Sequence, residues 1–171
     1  MQHLLITGAS GGIGRRMRRL LRGAYRLRLS DRVAPNDLGA NEAFVAAELT
    51  DLAAVEAACT GIDGILHLGG MAVENDWPTI LQSNIIGTYN LFEAARRQGV
   101  KRVIFASSNH AIGYYRRTRR IGNQVQPRPD SRYGVSKVFG EALGALYADK
   151  HGLRVLCIRI GNVDDRPVDK R

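Results

Sequence analysis

The chain has 171 residues, 44% of them apolar and 24% charged, which is enough for one domain with its own core and short for two. Its apolar runs stay below the roughly 18–20 residues of a membrane span, MQHLLITGAS lacks the basic leader and cleavage site of a signal peptide, and Cys59 and Cys157 stand far apart. Membrane proteins, disulfide scaffolds, zinc modules and C-x-x-C redox folds are therefore set aside, and a reduced, cytoplasmic setting is the expectation.

The net charge of +9 comes from 21 Arg against 4 Lys. The arginines cluster at Arg15, Arg16, Arg18, Arg19 and Arg22, and again at Arg116, Arg117, Arg119 and Arg120. Without a nucleic-acid motif or an aromatic platform beside them, they read as a solvated helix face and a charged loop. No specific nucleic-acid partner is expected.

In chain order, short apolar runs alternate with longer amphipathic segments, the pattern of β-α-β units. His3–Thr7 is a strand entering glycines. Ile13, Met17, Leu20 and Leu21 form one helix stripe. Strands follow at Tyr25–Ser30, ending on Asp31, and at Ala43–Ala47. Asp51–Ala58 is a short helix and Gly64–Leu68 a fourth strand. Pro78 opens a long helix that Arg96, Arg97 and Gly99 close. Val103–Ala106 is a fifth strand, followed by a loop of about 20 residues, a length that points to function. Ser131–Lys150 is a helix, Arg154–Ile160 a sixth strand, and Gly161–Arg171 has no clear period. The fold class is α/β: a Rossmann-like, doubly wound parallel sheet of about six strands in the order 3-2-1-4-5-6, helices on both faces, and the site beyond the C-terminal strand ends.

Two motifs carry chemistry. In Thr7-Gly8-Ala9-Ser10-Gly11-Gly12-Ile13-Gly14 the glycines are spaced G-x-x-G-x-x-G. Gly8 permits the tight turn, Gly11 lets backbone N–H groups approach a pyrophosphate, and Gly14 lets the helix pack close to the sheet. Asp31, at the end of the second strand, sits where a carboxylate accepts hydrogen bonds from an adenosine ribose and repels a 2′-phosphate, favouring NAD over NADP, with Arg32 adjacent. The second motif, Tyr133-Gly134-Val135-Ser136-Lys137, places Tyr133 and Lys137 one helical turn apart. An ammonium beside a phenol lowers its pKa, and Ser107 and Ser108 after the fifth strand offer a hydroxyl for a substrate oxygen.

Together these motifs resemble the extended short-chain dehydrogenase/reductases, from residue 2 to about residue 163. His67-Leu68-Gly69-Gly70, Asn84-Ile85-Ile86-Gly87, the string Phe105-Ala106-Ser107-Ser108-Asn109-His110-Ala111-Ile112-Gly113-Tyr114-Tyr115, and Arg159-Ile160-Gly161 are similar to uronate dehydrogenases. The resemblance implies NAD as cofactor, no metal, and oxidation of the C1 hydroxyl of galacturonate or glucuronate to an aldarolactone. It makes Ser108, Tyr133 and Lys137 the catalytic set. It implies cofactor contacts from Gly8, Ser10, Gly11, Gly12, Ile13, Gly14, Asp31, Arg32, Leu49, Leu68, Gly69, Gly70 and Asn84, joined by Tyr133 and Lys137. Substrate contacts fall at Ala72, Ser108, Asn109, His110, Asn162 and Arg171.

Ala72 and Asn162 stand where the family commonly has serine, and a carboxylate-clamping arginine falls at or near Arg171. The family's remaining C-terminal segment is expected to be absent, so residues 1–171 read as a single NAD-binding Rossmann domain. Two other readings stay open: a nucleotide-sugar epimerase or dehydratase, and an NAD-binding module without turnover. Superfamily members are often dimers. Gly140 and Gly144, on the face of Tyr133, are nevertheless assigned to packing against the sheet.

Overall fold

The computed structural model describes residues 2–163. Six parallel strands form one sheet in the order β3-β2-β1-β4-β5-β6, as expected. They are β1 (His3–Thr7), β2 (Arg26–Asp31), β3 (Glu42–Ala46), β4 (Gly64–His67), β5 (Arg102–Ser108) and β6 (Arg154–Ile160). The helices α1 (Gly12–Leu21), α2 (Leu52–Cys59), α4 (Gly87–Arg97) and α5 (Arg132–His151) make the crossovers, with a one-turn helix α3 (Trp77–Ile80) ahead of α4. Among the described residues no helix is long and apolar enough to cross a membrane.

The alternation of side chains along buried strands divides the core in two. Leu5, Ile65, Val103 and Phe105 face α2, α4 and α5, where they meet Val55, Leu91, Phe92, Leu143 and Tyr147. Ile6, Leu27, Leu29 and Leu66 face the other way, against Met17 and Leu21 of α1. On the outer strand β6, Val155 and Cys157 join the first layer, while Leu156 and Ile158 on its other face are exposed.

Local chemistry sets the helix ends. Asp51 caps α2 by accepting from Ala54 N at 3.1 Å, and Ser131 caps α5 by accepting from Gly134 N at 2.9 Å. Gly152, with φ +69°, ends α5 in the left-handed conformation that a side chain disfavours.

Three expectations are corrected. The long helix after Pro78 is interrupted: a π-helical turn, Leu81–Ile86, lies between α3 and α4, with the buried Asn84 inside it. On α1 the inward face is centred on Gly14 and Arg18 rather than Ile13, and this turns Leu20 out to 75% exposure. Arg18 itself is not on a solvated face. It is 4% exposed, and its guanidinium donates to Glu42 at 2.6 and 2.9 Å and to Asp37 at 2.7 Å. A buried cation persists here because its donors are matched by two carboxylates.

Candidate functional site

The C-terminal ends of β1, β2, β4, β5 and β6 surround a cavity of about 670 Å³. Its wall contains Gly8, Gly11, Gly12, Ile13, Gly14, Asp31, Arg32, Leu49, Leu68, Gly69, Gly70, Ala72, Ser108, Asn109, His110, Tyr133, Lys137 and Asn162. The sequence motifs, spread over more than 150 positions, thus converge on one space. Arg171 lies outside the described residues.

The glycine loop shows why side chains are excluded. Gly8 has φ +66°, and a Cβ there would stand 2.8 Å from the backbone of Leu68 and Gly69. A Cβ on Gly14 would run into the Gly8 carbonyl, so α1 starts closer to β1 than any other residue permits. Gly12 has open space where its Cβ would be. The N-terminus of α1 has no side-chain cap and no acidic residue in its first turn. Its first N–H groups therefore lack a helical partner and favour an anion. An open, uncapped glycine cradle of this kind fits a pyrophosphate.

Asp31 is held at the cavity rim. One carboxylate oxygen accepts from Ser10 N at 2.9 Å and the other from Arg32 N at 2.8 Å. Ser10 contributes through that bond and through its hydroxyl, which donates to Val33 O at 2.9 Å, rather than from the cavity wall itself. Asn84 is likewise set back. Its amide oxygen accepts from Met71 N at 2.7 Å, and its amide nitrogen reaches Met71 O and Ser136 Oγ, both at 3.0 Å. Asn84 thus braces the loop after β4 against α5 instead of facing the cavity.

Ser108 ends β5, and Tyr133 and Lys137 come from the first two turns of α5. The Lys137 ammonium lies 5.3 Å from the Tyr133 ring centroid and 5.1 Å from that of Phe105. Burial pushes the Lys137 pKa down to about 8. The Tyr133 phenol is not lowered as the lysine alone would suggest. Burial raises it, and the neighbouring Ser108 hydroxyl acts in the opposite direction. The ammonium sits over the two ring faces. His67 lies below, 1% exposed, stacked on Phe105, with Nδ1 2.7 Å from Thr7 Oγ1. Burial and then the Lys137 charge lower its pKa to about 3.

Several residues around the site escape sequence reasoning. Glu74 accepts from Tyr133 N at 2.8 Å and from Arg132, joining the loop after β4 to the start of α5. No local signal links residues 59 positions apart. Glu141 accepts from Arg159 at 2.7 and 2.8 Å and from the Ser107 hydroxyl, so Ser107 binds α5 to the sheet while Ser108 faces the cavity. The signal for Glu141 was its position one turn beyond Lys137 on the same helix. Asp130 approaches His110 Nδ1 at 2.8 Å, and its place before the Ser131 helix cap suggested only a loop residue.

Comparison with known proteins agrees with this geometry. Residues 4–164 match the model of the NAD dependent epimerase/dehydratase family. A uronate dehydrogenase of Agrobacterium fabrum (strain C58 / ATCC 33970) is 51% identical over 100% of this chain and 65% of its own length. The crystal structure of uronate dehydrogenase from Agrobacterium tumefaciens superposes with a TM-score of 0.94 at 50% identity, covering 98% of this chain and 63% of that one. A mutant of that enzyme complexed with NAD gives 0.87 at 51% identity, over 91% and 59%. The chain thus spans between 59% and 65% of the length of these relatives. With its glycine cradle, its six-stranded sheet and a family match over nearly all of its residues, the chain belongs to the NAD dependent epimerase/dehydratase family.

Proposed function

We propose that the chain binds NAD in this cavity and oxidises the C1 hydroxyl of a hexuronic acid, galacturonate or glucuronate, to an aldarolactone. The observation that carries the reading is the meeting of Ser108, Tyr133 and Lys137 in the wall of the cavity that the glycine cradle opens into. The roughly 50% identity to uronate dehydrogenases supports this substrate class over a nucleotide sugar.

The N–H groups at the start of α1 would hold the pyrophosphate, and Asp31 the adenosine ribose. A carboxylate already drawing on Ser10 N and Arg32 N is poorly placed to accept a 2′-phosphate, which supports NAD over NADP. When bound, NAD supplies the acceptor for the hydride leaving C1. Tyr133 takes the C1 hydroxyl proton, Ser108 holds the C1 oxygen, and Lys137 offers a positive charge that favours the phenolate. Asn109, His110 and Asn162 line the cavity and would contact the sugar, His110 from beside Tyr133, with Ala72 contributing shape. A reduced, cytoplasmic setting belongs to the same proposal, and the free, fully buried thiol of Cys59 is consistent with it.

The test is Tyr133→Phe. It should abolish NADH formation from galacturonate, followed at 340 nm, while calorimetric NAD affinity stays within about threefold. An unchanged rate refutes the role of Tyr133. NAD binding by the wild-type chain without turnover of either uronate supports the non-catalytic module instead.

A further inference from the structure

His110 is held unusually firmly for a half-exposed loop side chain. It lies on the single 3₁₀ turn Asn109–Ile112 that leaves β5. Its N–H donates to Ser108 Oγ at 3.1 Å, and its carbonyl accepts from Asp130 N at 3.3 Å. A Cβ on Gly134 would run into that same carbonyl, so the start of α5 closes against it. The ring stands edge-on to Tyr133, 5.7 Å between centroids, and lines the cavity.

Asp130 is fixed just as closely. Its Oδ1 lies 2.8 Å from His110 Nδ1 and accepts from the Ser131 hydroxyl at 3.0 Å. A Cβ on Gly113 would run into its carboxylate, so the chain leaves room for this side chain and no more. Burial would raise the Asp130 pKa, but the hydrogen bonds from His110 and Ser131 outweigh it and hold the group below the usual carboxylate range. Asp130 is therefore ionised at neutral pH, and an ionised carboxylate only accepts. The proton of a neutral His110 must then sit on Nδ1, leaving Nε2 with a lone pair.

We propose that Asp130 is a positioning residue that fixes this tautomer, so that His110 presents Nε2 to the cavity as an acceptor for a substrate hydroxyl. The substrate half of this statement rests on the uronate reading above. A neutral histidine free in water favours the opposite tautomer, with the proton on Nε2, which would offer a donor to the substrate. With Asp130 in place the edge of the cavity beside Tyr133 accepts a ring hydroxyl and gives no welcome to a carboxylate. The sugar is thereby oriented with its hydroxyl-bearing carbons, not its acid group, toward His110.

The experiment combines imidazole ¹⁵N NMR of histidine-labelled protein at pH 8 with uronate kinetics. His110 is assigned by the signal lost in His110→Gln. The wild type should show the Nδ1–H tautomer. Asp130→Ala should move His110 to Nε2–H and raise KM for galacturonate about tenfold, the size of one lost hydrogen bond, with kcat within about twofold. Asp130→Asn keeps the shape of the side chain but can turn an NH₂ toward Nδ1. It should give mixed tautomers and an intermediate KM, and it carries the test if Asp130→Ala does not fold. An Nε2–H tautomer in the wild type, or variants that leave both tautomer and KM unchanged, overturns the proposal. If the wild-type chain turns over no uronate, the uronate reading fails by itself, and the spectra still decide the role of Asp130.

Discussion

Replacing Gly140 by Ala should destabilise the protein although it adds a better helix former to the interior of α5. A Cβ at this position would run into the Phe105 ring, meeting Cζ, Cε1 and Cε2 together. The ring has nowhere to go. It is 1% exposed, with His67 stacked at 5.8 Å, Phe92 at 6.3 Å and the Lys137 ammonium at 5.1 Å. Overpacking of this kind costs about 1–3 kcal/mol. The gain in helix propensity from Gly to Ala is about 1 kcal/mol. With three ring atoms overlapped the upper part of the overpacking range, ~2–3 kcal/mol, applies, so the net expectation is a loss of ~1–2 kcal/mol, read from urea denaturation followed by circular dichroism with an unchanged m-value. Gly144 supplies the control four residues on. Its Cβ would meet the Val155 side chain at 2.9 Å and Cys157 Sγ at 3.5 Å, both only partly buried and able to shift. Gly144→Ala should therefore be within ~0.5 kcal/mol of wild type, as propensity and crowding offset one another. In the double variant Gly140→Ala/Phe105→Leu the smaller side chain should recover part of the loss, giving a coupling of at least ~0.5 kcal/mol. A Gly140→Ala protein as stable as wild type would refute the view that Gly140 exists for close approach to the sheet, and a Gly144→Ala protein that loses more than Gly140→Ala would refute the view that the rigidity of the neighbour decides the cost.

Other substitutions test other parts of the fold and site. Arg18→Met leaves the buried Glu42 to the half-exposed Arg22 alone, through longer bonds of 3.2 and 3.3 Å, and should cost at most the ~3–5 kcal/mol of a fully broken buried pair in the same denaturation assay, whereas Arg18→Met/Glu42→Leu should cost much less. Glu42 is held down to about 2, chiefly by the Arg18 hydrogen bonds, so its contribution to stability is present above pH 4.5 and is lost as the pH falls toward 2. His67 is also depressed, to about 3, but as a base buried in its neutral form. The unfolded chain binds its proton first, so stability falls as the pH drops from 6.5 toward 3. His67→Leu should flatten the pH dependence of stability between pH 6.5 and 4.5, above the Glu42 window, by up to one proton, ~1.4 kcal/mol per pH unit. Asp31→Ser removes the carboxylate proposed to exclude a 2′-phosphate and should narrow the NAD-to-NADP affinity ratio about tenfold by calorimetry.

The sheet order and the site elements were readable because each depends on local rules. Apolar runs of period two, glycines at a helix start and a Ser cap before Tyr133 act within a few residues of themselves. The features that escaped depend on distance in sequence or on angle around a helix. Leu20 falls on the stripe Ile13, Met17, Leu21 by spacing, yet it is exposed, because Gly14 sets the direction in which α1 packs and Arg18 follows it inward. The interruption at Leu81–Ile86 has no breaker residue. Its counterpart is Asn84, whose side chain is bonded to Met71 and Ser136, and only the folded chain brings those partners together. Arg18 was grouped with its exposed neighbours because its partners, Asp37 and Glu42, arrive from the far side of β2.

The same contrast explains how a helix carrying Tyr133 and Lys137 is held in place against the sheet. Two residues on one helix face fix their mutual spacing, but nothing in that spacing fixes the helix against Ser108. Three contacts beyond the motif do. Glu74 draws the Tyr133 N–H toward the loop after β4, Glu141 bonds Ser107 on β5 and Arg159 on β6, and Gly140 lets Phe105 lie directly under the helix. Each acts at a different point along α5, so translation and rotation of the helix are both resisted. Ser108 follows Ser107 on the same strand and lines the same cavity as Tyr133. Fixing Ser107 to Glu141 therefore also sets the height of the Ser108 hydroxyl beside the Tyr133 phenol. Glu141→Gln keeps the shape of this side chain while removing its charge. If this clamp positions the pair, the variant should lower kcat for uronate oxidation several-fold with NAD affinity unchanged, and a kcat equal to wild type would show that Ser108 is placed by β5 alone.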